Sequence, residues 1–423
     1  MTTTDPAQAS GDRLALLYRL SQAFNSSLDL DTVLNRVVDE VIAATHAERG
    51  FVVLLEDDGS PVFRVARGMD QGTIDDPYFQ VSRSVVDRVT SEGQPILTSD
   101  AQMDERFSMR HSVMLLGLRS ILCVPLKTRE QVTGLIYVDN RFRAGLFTPE
   151  DLELLSAIAS NAAIAIENAR LYQLAVDQGR LERELQMARE VQTSFLPHTT
   201  PQIPGWEFAA WWRPAREVAG DYYDFIDEGD GRLGLVIADV TDKGMPAALF
   251  MVLTRSIVRA SVLQSAPAEG IARANRLICG DAMRNMFVSL FYAQLNPASG
   301  ELTYVNAGHN PPLLHQAGAK HVTALAPTGM VLGIDPDAAF DQRSVQLEAG
   351  DFVVLYTDGV TEAANALGEE LGEARLRQLA LDQRHAPAAE MVAALEAALG
   401  EFTTGQPPFD DVTVLVARRL SSA

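Results

Sequence analysis

The sequence predicts an α+β protein: two mixed helix-and-sheet domains joined by a long helix. Three observations carry that expectation. Apolar residues recur at helical spacing near the N-terminus and again after Thr148, and the runs between them read as strands. The helical pattern that restarts at Thr148 continues to Pro197, well past the point where a globular domain should close. After Pro197 the texture changes to many short strands separated by turn signals.

The first helical pattern runs through Leu14, Leu17, Leu20 and Phe24, and a second through Val33, Val37, Val41 and Ile42. Strands are expected over Gly50–Glu56, Arg119–Leu126 and Val132–Val138; helices on such a sheet give an α+β domain. Thr148 is placed to cap the next helix, with Pro149 in its first turn. From Leu171 onward two lanes with seven-residue spacing appear: Leu171, Gln178, Leu185, Gln192, and Leu174, Leu181, Ala188, Phe195. That spacing suits the seam of a parallel coiled coil, weakened by Gln178, Gln192 and Gly179. A plain linker helix is the competing reading. Further strands are expected over Leu233–Ala238, Val288–Leu295, Glu301–Asn306, Phe352–Thr357 and Val412–Ala417, with helices over Pro246–Val262 and Pro387–Phe402. The resulting division is a disordered tail 1–12, a first domain 13–172, a helical connector 173–198 and a second domain 199–423.

Composition limits the partners. The chain is 47% apolar and 22% charged, enough to bury a core in each domain. A net charge of -21 argues against nucleic acid, which is held by clustered Lys and Arg, and leaves room for divalent cations. Cys123 lies in the apolar run Ile121–Val124, as a buried structural thiol would, and with Cys279 it makes neither a zinc site nor a disulfide framework. Met1–Gly11 lacks a signal-peptide core, and no run reaches the ~20 apolar residues of a spanning helix. A cytoplasmic protein without a membrane partner is expected.

The chemistry concentrates in aspartates beside strands. Asp221 lies in Ala219-Gly220-Asp221-Tyr222-Tyr223-Asp224, Asp239 follows Leu233–Ala238, Asp358 follows Val353–Thr357, and Asp410 and Asp411 precede Val412–Val416. A lone strand-end Asp is usually a turn former or cap. Four converging carboxylates would repel one another without cations, and oxygen-only ligands suit Mg²⁺ or Mn²⁺. Two such ions side by side activate water for attack at phosphorus.

Five blocks carry a resemblance: Arg213–Asp224, Ala238–Leu249, Tyr304–Pro312, Tyr356–Glu362 and Asp410–Thr413. Together they resemble the PPM-type (type 2C) serine/threonine protein phosphatases, in the SpoIIE-like bacterial branch. The resemblance implies two stacked sheets flanked by helices, an α-β-β-α sandwich, with two Mn²⁺ or Mg²⁺ ions at one end. It puts the metal ligands, and so the catalytic residues, at Asp221, Asp239, Asp358 and Asp410, with the Val240 carbonyl completing the set. Ala219 and Asp242 stand where the family usually has Gly. Arg213 and Arg216 are candidates for the substrate phosphate or for structural pairing with Glu217 or Asp224. His309 is a general acid or a turn histidine, Asn306 a turn former, and Lys243 a source of general electrostatic help.

Arg119–Leu126, Gly134–Asn140, Phe147–Leu155 and Ile164–Tyr172 resemble a GAF sensor domain, whose ligand, if any, the residues do not name. By family analogy the substrate is a phosphorylated anti-sigma-factor antagonist in a bacterial partner-switching pathway, and a homodimer is expected through the connector. The alternative is a signalling scaffold that keeps the phosphatase fold but binds partners without useful turnover.

Overall fold

A computed structural model describes residues 15–421, apart from 16, 25, 57, 71, 75–80, 105, 107–115, 130 and 282–285. The expected tail, residues 1–12, and Leu14 lie outside the described residues. The chain divides into two compact units, Met1–Leu181 and Glu182–Ala423.

In the first unit, α1 (Leu30–Thr45) starts where Asp29 accepts the Thr32 amide at 2.7 Å, a side-chain N-cap. The strands β1 (Arg49–Leu55), β2 (Pro61–Gly68), β3 (Ile96–Thr98), β4 (Ser120–Thr128) and β5 (Gln131–Asn140) form one antiparallel sheet in the order β2-β1-β5-β4-β3. Between β2 and β3 runs α2 (Arg83–Glu92). Alternation along the strands gives the sheet two apolar faces. Val52, Leu122 and Ile136 meet α1 and α3 (Pro149–Phe195), while Phe51, Cys123 and Tyr137 face Val85 and Val89 of α2. Thr148 and Asp151 cap α3 reciprocally, as the sequence foretold for Thr148. Strands β2 and β3 and helix α2 were not anticipated; their runs are short or polar.

One helix, α3, is continuous over 47 residues. Its first turns lie in the first unit's core through Leu155, Ile158, Ala162 and Ile166. Leu171, Leu174 and Leu181 are then exposed. The seam expectation fails at Gln192, which is buried in the second unit by two hydrogen bonds that seven-residue spacing cannot reveal.

The second unit is a sandwich of two antiparallel sheets. The first comprises β7 (Tyr222–Asp227), β8 (Leu233–Val240), β9 (Val288–Leu295), β10 (Glu301–Ala307) and β13 (Arg343–Gln346), in the order β13-β10-β9-β8-β7. The second comprises β6 (Trp206–Arg213), β11 (Leu313–His315), β12 (Thr323–Ala324), β14 (Phe352–Tyr356) and β15 (Val412–Arg419), in the order β12-β11-β14-β15-β6. Leu235, Phe291, Val353 and Leu415 fill the space between the sheets. Helices α4 (Met245–Val262) and α5 (Pro267–Asp281) cover the first sheet. The second carries α7 (Gly372–Asp382) and α8 (Ala388–Phe402), with the single-turn α6 (Asp358–Thr361) at the end of β14. Among the described residues α4 is long and apolar enough to cross a membrane, but Ala247, Phe250, Met251 and Val258 lie in the core of this unit.

Candidate metal centre

The aspartates come from both sheets. Asp221 immediately precedes β7, and Asp239 lies inside β8, one residue beyond the strand end expected from sequence. Asp358 opens α6, separated from β14 by Thr357 alone, and Asp410 and Asp411 precede β15, the neighbour of β14. Hydroxyls of one sheet reach a carboxylate of the other: Thr357 Oγ1 and Thr413 Oγ1 both donate to Asp221 Oδ2, at 2.6 and 2.7 Å. Thr357 Oγ1 in turn accepts the Thr413 amide at 3.0 Å. These threonines follow and open apolar strands, so the sandwich itself aims them.

Burial and mutual repulsion dominate the electrostatics. Asp221 is 1% exposed, and burial, then Asp239 and Asp411, hold its carboxyl well above the usual range. Burial, then Asp358 and Asp410, push Asp239 up to about 7. Burial, then Glu362 and Asp410, push Asp358 up to about 6. A divalent cation among them would relieve such a set. Among the described residues, no three Asp, Glu, His or Cys side chains already form a closed ligand cage. The donors are oxygen-only and carry more negative than positive charge, which fits a hard divalent cation.

Asp410 and Asp411 divide their work. Asp411 accepts the Ala215 and Gly220 amides, both at 2.7 Å, so its two oxygens shape the loop before Asp221. Asp410 instead faces Lys243, whose Nζ lies 2.8 Å from Asp410 Oδ2, donates to the Phe409 carbonyl at 2.8 Å and sits 4.3 Å from the Phe409 ring centre. The packing leaves no room for side chains at two glycines. A Cβ at Gly359 would stand 1.9 Å from the Asp411 carbonyl oxygen, and one at Gly220 would stand 2.9 Å from the Val240 carbonyl oxygen. Val240 therefore presents its carbonyl against the residue preceding Asp221.

The weaker candidates sort themselves. His309 is buried, with Nδ1 2.7 Å from Ser289 Oγ and its amide on Asn306 Oδ1. Burial pushes it down to about 4, so it is neutral near pH 7 and behaves as a turn histidine. Asp224 is taken by Arg255 and Arg259, which excludes the suggested pairing with Arg213 or Arg216. Arg216 is exposed, and Arg213 lies over Trp211 with its Nε buried and unpartnered. A cavity of about 280 Å³ opens beside Asp410, lined by Arg213, Glu362, Asn365 and Phe409. Sequence reasoning missed Thr357, Thr413 and Gln192. The Gln192 amide brackets Ala219, donating to its carbonyl at 2.6 Å and accepting its N–H at 3.0 Å, two residues before Asp221. A polar residue recurring on an otherwise apolar lane was the only available signal.

An α-β-β-α sandwich with a carboxylate cluster at one end of the facing sheets defines the PP2C fold class. The SiaA-PP2C domain of Pseudomonas aeruginosa shares that fold, with a TM-score of 0.53 at 22% identity, covering 58% of this chain and 100% of that domain. Residues 229–420 match the family model of stage II sporulation protein E (SpoIIE), and residues 29–166 match the GAF domain. Protein IcfG of Synechocystis sp. is 32% identical over 273 residues, which cover 58% of this chain and 43% of IcfG. Phosphoserine phosphatase RsbU of Bacillus subtilis is 32% identical over 248 residues, which cover 57% of this chain and 72% of RsbU. The chain thus spans less than half of IcfG and nearly three quarters of RsbU. The chain belongs to the SpoIIE family, in its RsbU-like branch, and carries a GAF domain ahead of the PP2C-type domain.

Proposed function

We propose that this chain is a metal-dependent serine/threonine protein phosphatase under the control of its GAF domain. The observation that carries the reading is the carboxylate set drawn from both sheets, in which burial and mutual repulsion hold Asp221, Asp239 and Asp358 above the usual carboxylate range. Asp221, Asp239, Asp358 and Asp410 would hold two Mn²⁺ or Mg²⁺ ions, with the Val240 carbonyl as a further ligand. When bound, the ions supply an activated water and neutralise charge at phosphorus. The chain's own residues supply the order. Thr357 and Thr413 fix the Asp221 carboxylate, and Asp411 fixes the loop that presents it. Arg213, at the cavity beside Asp410, is the better placed of the two arginines to meet a substrate anion.

The substrate class follows from RsbU, which is named a phosphoserine phosphatase. A phosphorylated anti-sigma-factor antagonist, in a cytoplasmic partner-switching pathway, is the proposed substrate. Exposed Ile164, Leu171, Leu174 and Leu181 support a homodimer through α3. The Gln192 bracket supports α3 as the element through which the sensor acts on Asp221. The GAF ligand has no assignment, and nucleic acid has no place in the reading, given the charge of -21.

The test is turnover of an aryl phosphate and of a phosphorylated antagonist by the full chain, after chelation and titration with each metal. Hydrolysis that requires Mn²⁺ or Mg²⁺ supports the proposal. Antagonist binding without turnover at any metal concentration would leave the scaffold reading in its place.

A further inference from the structure

A second cavity, of about 610 Å³, lies in the PP2C-type domain among loops that the proposed chemistry does not use. It is lined by His315 at the end of β11, Lys320 in the following turn, Arg384 and His385 between α7 and α8, and Arg418 near the end of β15. Strands β14 and β15 run between this cavity and the carboxylate cluster. Phe352 pairs with Arg418 at one end, and Asp358 and Asp411 flank the other. At ~3.3 Å per residue the two places lie roughly 20 Å apart.

Two arginines, a lysine and two histidines line this cavity and no carboxylate does, in a chain of net charge -21. Arg384 and Arg418 each donate to a backbone carbonyl, of Leu381 and Ala386 respectively, which orients them without neutralising them. The nearby carboxylate, Asp351, spends its oxygens on the Ala317 and Glu348 amides and thereby shapes the loops on either side. His315 is 3% exposed, stacks on Phe352, and has a buried Nδ1 with no hydrogen-bond partner. Burial keeps His315 neutral, with Nε2 on the Ala319 carbonyl at 3.3 Å, so the charge here is that of Arg384, Arg418 and Lys320, and with no carboxylate among the lining residues it suits an anion.

We propose that this cavity binds a small phosphate-bearing ligand of nucleotide size, at a site separate from the metal centre. The guanidinium groups of Arg384 and Arg418 would take the phosphate oxygens, with Lys320 and His385 closing the rim. Lys320 and His385 are exposed and can be changed without disturbing the core.

The experiment is calorimetric titration of the metal-stripped full chain with pyrophosphate and with ADP at low salt. The expected result is one site per chain, with affinity lost at least tenfold in Lys320→Glu/His385→Glu and kept in Asp239→Asn. Equal affinities identify a diphosphate cradle, and tighter ADP identifies a nucleotide site; either supports the proposal. No heat with either probe overturns it. So does binding that survives the charge reversal or disappears in Asp239→Asn, because the anion would then sit elsewhere.

Discussion

The two domains each bury carboxylates, and they treat them in opposite ways. In the GAF domain Asp139 is wholly buried beside Arg49, which donates from Nε at 2.8 Å and from Nη2 at 2.6 Å. The chain supplies both charges, and the pair is a structural tie between β1 and β5. In the PP2C-type domain Asp221 is equally buried, yet it receives two neutral hydroxyls in place of an arginine and faces Asp239 and Asp411. A buried carboxylate with its own arginine is finished as the chain folds; one surrounded by its like is a place for an ion that must come from outside.

Substitution breaks the comparison most sharply at Asp239. Asp239→Asn is expected to lower turnover by roughly a thousandfold or more, since it removes a ligand charge. The metal-free protein should meanwhile gain on the order of 1 kcal/mol, because a repelled buried carboxylate is gone. Activity assays and thermal unfolding with chelator would measure both, and a destabilised metal-free variant contradicts the repulsion argument. Asp139→Asn should do the reverse. It takes from the buried Arg49 the carboxylate that accepts both its hydrogen bonds, costing about 3–5 kcal/mol, with the unfolding of the GAF domain as readout. An unchanged midpoint there would mean that the ion pair is dispensable.

His309 shows a third solution, burial of a neutral titratable group. Its ordinary value of 6.5 drops to about 4 on folding, so its contribution is complete above 6.5 and is lost as pH falls towards 4. The loss is on the order of 3 kcal/mol. Denaturant midpoints between pH 7 and 4 should fall less in His309→Gln than in wild type, and parallel profiles would count against a neutral buried imidazole.

Lys243 is the cation that the chain itself brings to the cluster. Lys243→Met should tighten Mn²⁺ binding about tenfold, as read by Mn²⁺ resonance in the substrate-free protein, because it vacates Asp410. Arg216→Met, which removes a charge without that contact, should do much less; equal effects would reduce Lys243 to part of the general field. The smallest effect belongs to Asp242, whose φ of 78° is left-handed. Asp242→Gly should stabilise the loop by about 1 kcal/mol in chemical unfolding, and a loss instead would show that the bond from the Lys243 amide to Asp242 Oδ1 outweighs the strain.

The sequence by itself determined the order of the two domains and the central strands, and it pointed to four aspartates as candidates. Those strands are continuous apolar runs, and Asp239, Asp358 and Asp410 each sit beside one, so short-range pattern picked them out; Asp221 precedes β7, a mixed run that gave no such signal. Thr148 as a helix cap was legible for the same reason. The tertiary structure alone decided what Asp411, Thr357 and Gln192 do. Asp410 and Asp411 are adjacent in sequence, yet one faces Lys243 and the other holds the Ala215 and Gly220 amides. Their partners are more than 160 residues away in the chain, beyond any local pattern. Gln192 misled because seven-residue spacing reports which residues share a helix face, whereas only packing decides what that face meets.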